Sequence, residues 1–290
     1  MTYDLYIGDR SFSSWSLRGW LMLRAFGLPY RVHTVGLYAG TMAQDLADMP
    51  LTRLVPVLKT PEGHVLQDTL AMAETLAERH PDAGLWPADP AARAFARWIT
   101  AEMHSGFGAL REACAMNLRH GWAGFAPSAA VQADVARIED LWSSARARFG
   151  AEGPWLFGSY SLADVFYAPI AARLAGYGLP ISATAQAYVE AHLADTAFRQ
   201  WRAMGETVAY APMPYRVDAQ EVPWPGPVMS GAHLGEGPSV NEVCPYSGDP
   251  VTHFLALNGT TYGFCNAFCR DKTLADPGAW PAFLELAGIS

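Results

Sequence analysis

SFSSWSLRGWLMLRAFG, residues 11–27, is the stretch from which the rest of the chain is read. Trp15, Trp20, Leu21, Leu23 and Phe26 recur near helical spacing, and Gly27 with Pro29 just beyond it is a helix stop. Leu5 to Ile7, immediately before, reads as a strand. A strand therefore enters a helix through a loop carrying Ser11, Ser13 and Ser14, residue types that accept hydrogen bonds from the free N–H groups of a first helical turn. The helix start is also the positive end of the helix dipole, where an anion or a thiolate is stabilised.

Outward from this stretch, Tyr30 to Val35 reads as a second strand, with Val32 and Val35 apolar and Arg31 and His33 polar. Val55 to Lys59 and Val65 to Leu66 flank Pro61, Glu62 and Gly63 as a hairpin. Pro56 is out of place in a regular strand, since it cannot donate to a ladder. Asp68 or Thr69 caps a further helix with Leu70, Ala73, Leu76 and Ala77 on its apolar face. The order βαβ then ββα is that of a thioredoxin-like unit.

Three pieces of this unit resemble the glutathione transferases. SSWSLR is similar to the active-site loop of the serine- or cysteine-type theta, zeta and omega classes. VPVL resembles the strand whose proline is cis and whose preceding residue pairs with the glutathione backbone. LQDTLAMAETLAE resembles the acidic-residue-then-serine helix start that holds the glutamyl end. The resemblance spans residues 1–215. It implies Ser13 or Ser14 as thiol partner and Val55, Pro56, Asp68 and Thr69 as glutathione contacts. If Arg18 matches the omega-type arginine, Ser13 is the active serine; if it matches the theta-type arginine, Ser14 is. The first alignment is preferred. Glutathione is the implied co-substrate, with an apolar electrophile as second substrate and a two-fold homodimer as the assembly.

With 290 residues, 51% of them hydrophobic, the chain can build more than one core. A net charge of -8 without a basic stripe argues against nucleic-acid binding. No apolar run reaches the roughly 20 residues of a membrane helix, and no signal-peptide core follows the first residues. The four cysteines are too few and too uneven for a disulfide scaffold, so a cytoplasmic protein is expected.

The second domain reads as helical. Pro90 to Leu118 is expected as one long helix, with His104 solvated along it. Pro127 to Phe149, Gly158 to Leu174 and Thr184 to Val208 are further helices. Ser161 with Asp164 three residues on is a capping box, which gives that acid a structural part. From Ala211 to Ser239 prolines and glycines mark a linker. The tail beyond it carries Asn258-Gly259 between short strands, a hairpin signal, then Cys265 and Cys269 at a helix start. It resembles small treble-clef or YHS-like modules that bind metal through four cysteines, but Ser247 stands where the second would be. Cys244, Cys265 and Cys269, with His253 or Asp271, are the candidate metal ligands. A metal-free module with a core of Phe254, Tyr262, Phe264 and Phe268 is favoured over a zinc-bound one.

The expected fold is thus an α/β thioredoxin-like N-terminal domain (1–82) plus an all-α C-terminal domain (88–210), a linker (211–239) and a small β-hairpin/helix module (240–290). The expected activity is glutathione transfer to an electrophile. The alternatives are a zeta-like glutathione-dependent isomerase and a non-catalytic binding protein.

Overall fold

The computed structural model describes residues 2–150, 152–209 and 215–289. The first four residues of the expected linker, 211–214, lie outside them. The chain packs as two units, one of residues 2–193 with 215–225, the other of residues 194–209 with 226–289.

The first unit begins with β1 (Tyr3–Ile7), α1 (Ser14–Arg24) and β2 (Tyr30–Thr34). A short α2 (Met42–Asp45) precedes β3 (Val57–Lys59), β4 (Val65–Leu66) and α3 (Thr69–Arg79). The sheet order is β2-β1-β3-β4, with β1 parallel to β2 and antiparallel to β3, as the βαβ–ββα reading requires. The register sets Leu5 opposite Leu58 and Tyr6 opposite Val57. Leu5, Ile7 and Val57 are wholly buried, so the alternation along β1 places one face on the core. Behind the sheet α1 crosses close to Pro56. A Cβ at Gly19 would stand 2.9 Å from Pro56 Cγ, so the approach needs glycine.

The helical part departs from one long helix over 90–118. Helix α4 (Pro90–Ser105) stops at Gly106, whose extended backbone leaves no room for a side chain: a Cβ there would lie 2.6 Å from the Glu102 carbonyl oxygen. Phe107 then takes a left-handed φ of 55° and starts α5 (Gly108–Ala113), followed by β5 (Gly121–Ala123). Next come α6 (Ala129–Phe149), α7 (Leu162–Gly176) and α8 (Ala183–Ala194). Helix α7 is apolar all round and almost wholly buried, the signature of a central helix. The capping box forms as read: Asp164 accepts from the Ser161 N–H at 2.8 Å. It also accepts from the Leu156 N–H at 3.2 Å and the Tyr188 hydroxyl at 2.8 Å.

Residues 184–208 likewise form two helices. Asp195 ends α8 and caps α9 (Thr196–Glu206), its carboxylate accepting from the Phe198 N–H. The linker holds structure of its own: β6 (Gln220–Val222) pairs with β5, and β7 (His233–Leu234) pairs with β8 (His253–Leu257). Asn258 and Gly259, both at positive φ, turn β8 into β9 (Thr260–Phe264) with Leu257 opposite Thr260, the expected two-residue hairpin.

In the second unit α9 packs on α10 (Ala267–Ala275), and Arg199 forms a two-pronged pair with Asp276 at 2.9 and 2.8 Å. Helix α11 (Pro281–Ala287) closes the chain. Leu255, Leu257, Tyr262, Phe264, Trp280 and Phe283 make this core; Phe268, read as part of it, is 41% exposed. Among the described residues no helix is long and apolar enough to cross a membrane.

Candidate functional site

Ser13 is the N-cap of α1. Its Oγ accepts from the Ser16 N–H at 3.3 Å and donates to Ser16 Oγ at 2.8 Å, and Ser16 Oγ in turn accepts from the Gly8 N–H at 2.9 Å. The Ser13 hydroxyl is therefore committed to the helix start it caps. Ser14, the first residue of α1, is placed otherwise: among the described residues its Oγ meets only the Arg173 guanidinium, in a long contact of 3.4 Å. That leaves the Ser14 O–H proton free to be donated.

Both serines line a cleft of about 610 Å³ with Phe12, Trp15, Val55, Arg111 and Arg173. Leu37, Met42, Leu54 and Met116 add apolar wall. Tyr38 and Tyr215 close one side, their hydroxyls 3.0 Å apart. Neither tyrosine stands out in the sequence; Tyr215 lies in a proline-rich run with no periodicity to read. Arg173 did carry a signal, as an arginine inside the otherwise apolar APIAARLAG of α7.

The Val55–Pro56 peptide is cis. Gln67 Oε1 accepts from the N–H groups of Arg53 and Leu54 and so holds the segment that leads into it. Asp68 and Thr69 do not line the cleft itself. Asp68 caps α3, its Oδ1 accepting from the Leu70 and Ala71 N–H groups at 2.7 and 3.2 Å. Its Oδ2 lies 3.2 Å from His104 Nε2, and the His104 ring stands edge-on to Trp15 at 5.2 Å. His104, expected in solvent, is thus a partly buried link between Asp68 and the cleft wall. Burial holds its pKa below the ordinary value against the pull of Asp68, so the contact is mainly that of a neutral imidazole. Thr69 Oγ1 is buried without a partner among the described residues, at a helix N-terminus.

Cations outnumber acids in the cleft lining: Arg111 and Arg173 stand against Glu112. Arg111 stacks on Trp15 at 5.1 Å and Arg18, 1% exposed, stacks on the same ring at 4.6 Å. Arg18 Nε and Nη1 have no partner among the described residues, and Nη2 meets only Met103 Sδ. Neither Arg111 nor Arg173 pairs with a carboxylate among the described residues; Arg173 instead donates to the Cys114 and Pro169 carbonyls. Burial pushes Arg173 down to about 10, and the neighbouring Arg111 charge adds to it. Burial, then Arg173 and Arg111, lower Arg18. Three cations that form no ion pair among the described residues, beside a helix start, favour an anion that enters. Cys114 is no competing nucleophile, since burial pushes its thiol up to about 12.

Of the tail candidates, Cys244, Cys265 and Cys269 come together, their sulfurs within 4.8 Å of one another. His253 does not join them: it sits on β8 opposite Phe264, and its Nδ1 meets Thr252 Oγ1 at 2.9 Å. Asp271 is engaged by Arg270 at 2.7 Å.

The glutathione S-transferase N-terminal domain model matches residues 12–79. A Pseudomonas aeruginosa protein named maleylacetoacetate isomerase is 32% identical over 209 residues, which cover 68% of this chain and 93% of that protein. A Caenorhabditis elegans probable maleylacetoacetate isomerase is 36% identical over 102 residues, covering 35% of this chain and 46% of that protein. Among solved structures, a glutathione transferase homolog from Burkholderia, crystallised with bound glutathione, matches with a TM-score of 0.54 at 26% identity, covering 72% of this chain and 100% of its own. With a thioredoxin-like sheet, a helical domain around α7 and a relative aligned over nearly its whole length, the chain belongs to the glutathione S-transferase family.

Proposed function

We propose that the cleft binds glutathione and turns its thiolate on an anionic, α,β-unsaturated oxo acid, isomerising the double bond from cis to trans. The observation that carries this reading is the pair Arg111 and Arg173, which line the cleft beside Ser14 and, among the described residues, form no ion pair with a carboxylate, although Glu112 is also in the lining. A substrate carboxylate supplies that charge. The relatives named as isomerases of maleylacetoacetate support the same chemistry.

Ser14 Oγ donates a hydrogen bond to the glutathione sulfur and, with the helix dipole and the buried arginines, favours the thiolate. The Val55 backbone pairs with the glutathione main chain, and the α3 start at Asp68 and Thr69 receives its charged glutamyl end. The thiolate adds to the alkene carbon β to the carbonyl, forming a C–S bond and moving the π electrons onto the carbonyl oxygen as an enolate. The former double bond is then single and rotates. Collapse of the enolate breaks the C–S bond, restores the alkene in the trans form and returns the thiolate, so nothing is oxidised or reduced. The cationic side chains hold the carboxylate and the enolate charge. Transfer to a neutral electrophile is the second reading, favoured by Phe12, Met42, Leu54 and Met116 in the wall. A two-fold homodimer belongs to either reading.

The test compares glutathione-dependent isomerisation of a cis-unsaturated dioxo acid with conjugation of a neutral aryl halide. The acid should be turned over with glutathione regenerated, and Arg111→Leu should raise its KM by about tenfold, the loss of one charged hydrogen bond. Turnover of the halide alone, with the acid inert, would refute the reading.

A further inference from the structure

The second unit holds a cluster that the cleft chemistry does not use. Cys244, Cys265 and Cys269 are all free thiols, and Cys244 and Cys269 are buried. They arrive from two separate pieces of backbone. Cys244 sits in a tight turn, where its N–H donates to the Asp249 carbonyl at 2.8 Å and its carbonyl accepts from the Gly248 N–H at 2.9 Å. Gly248, at φ 76°, permits the turn. Cys265 ends the hairpin, and Cys269 lies in the first turn of α10. Asn266 fixes both: its Oδ1 caps the Cys269 N–H at 2.8 Å, and its Nδ2 donates to Cys265 Sγ at 3.3 Å.

The spacing fits a metal better than a disulfide. Cys265 Sγ and Cys269 Sγ are 3.9 Å apart, against about 2.05 Å for an S–S bond. Two thiolates on one tetrahedral zinc, each about 2.3 Å from it, stand about 3.8 Å apart. All three sulfurs already fall within 4.8 Å of one another, so small side-chain rotations close the set. The fourth corner lacks a thiol. Ser247 Oγ is there instead, 3.3 Å from Cys265 Sγ, and Ser247 is exposed. Lys272, one helical turn after Cys269 on α10, places a buried positive charge beside Cys269. Its Nζ is held over the Tyr246 and Trp280 rings at 3.9 and 4.2 Å.

We propose that Cys244, Cys265 and Cys269 form a three-thiolate site for a thiophilic divalent ion such as zinc, with the fourth coordination position open to solvent beside Ser247. An ion held by three protein ligands keeps one exchangeable position, unlike a closed structural site. Binding releases the thiol protons and ties the turn at Cys244 to the hairpin and α10.

The full-length chain, reduced and freed of metal, is titrated with cobalt(II) and then zinc, with its fold followed by circular dichroism. One equivalent of cobalt should give thiolate-to-metal charge-transfer absorption, which zinc then abolishes. Added 2-mercaptoethanol should shift the ligand-field bands of the wild type and leave those of Ser247→Cys unchanged, because a fourth protein thiol closes the site. Ser247→Cys should also bind zinc at least tenfold more tightly, and Cys265→Ser at least tenfold more weakly. Absence of a thiolate band in the reduced, folded chain would overturn the site. Bands in the wild type that ignore the added thiol would overturn the open position. If Cys265→Ser does not fold, Ser247→Cys decides alone: an affinity equal to wild type refutes the proposal.

Discussion

Ser13→Ala and Ser14→Ala should separate the structural serine from the chemical one. The Ser13 hydroxyl accepts from the Ser16 N–H at 3.3 Å and donates to Ser16 Oγ at 2.8 Å, so its removal strips an N-cap. Losing such a cap costs about 1 kcal/mol, or about 2–4 °C in Tm for a domain of this size. The Ser14 hydroxyl has no cap to lose and carries a proton that no described acceptor takes. If it donates to the glutathione thiolate, a hydrogen bond to a charged group worth about 1.5–3 kcal/mol disappears in Ser14→Ala. At 1.36 kcal/mol per pKa unit, the bound thiol then titrates about 1–2 units higher, toward the ordinary value near 8.5. The assay is the ultraviolet absorbance of the bound thiolate against pH, paired with thermal unfolding of each variant. Ser14→Ala should shift the titration with Tm nearly unchanged; Ser13→Ala should do the reverse. A shifted titration in Ser13→Ala with none in Ser14→Ala would return the catalytic part to the cap residue and refute the reasoning.

Three further outcomes concern buried positions. Asp164→Ala strands the buried Leu156 and Ser161 N–H groups and the Tyr188 hydroxyl, at about 1–3 kcal/mol each, so calorimetry should show at least about 3 kcal/mol lost. Burial raises the wild-type Asp164 to about 6 from 3.8 against those hydrogen bonds. Its titration therefore adds stability that is full below about 3.8 and is lost as pH rises through about 6, a slope that Asp164→Asn should lack. Gly19→Ala places a methyl 2.9 Å from Pro56 Cγ, an overpacking of about 1–3 kcal/mol that should raise the KM for glutathione by moving Val55; an unchanged KM would show that α1 yields instead.

What the sequence revealed and what it hid divide by range of interaction. The α1 start, the Asp68 cap, the Ser161–Asp164 box and the Asn258-Gly259 turn are each decided within four residues, and each formed where it was read. The break at Gly106–Phe107–Gly108 was local too, but the apolar spacing of Phe95, Ile99, Met103, Phe107 and Leu110 runs through it. Periodicity records which residues face the core and is blind to a backbone that reverses between them. The cleft is a different matter. Arg173 reaches Ser14 across 159 positions, and Tyr215 meets Tyr38 across 177. No spacing rule covers such distances, so the motif located the serines without saying which had a free proton. That choice rests on Arg173, whose charge the fold buries in the last turn of α7. Burying a cation there without a carboxylate partner opposes folding. Its electrostatic cost falls where an anionic ligand can offset it, and this is why the proposed acid substrate rests on the cationic wall more than on the serine loop.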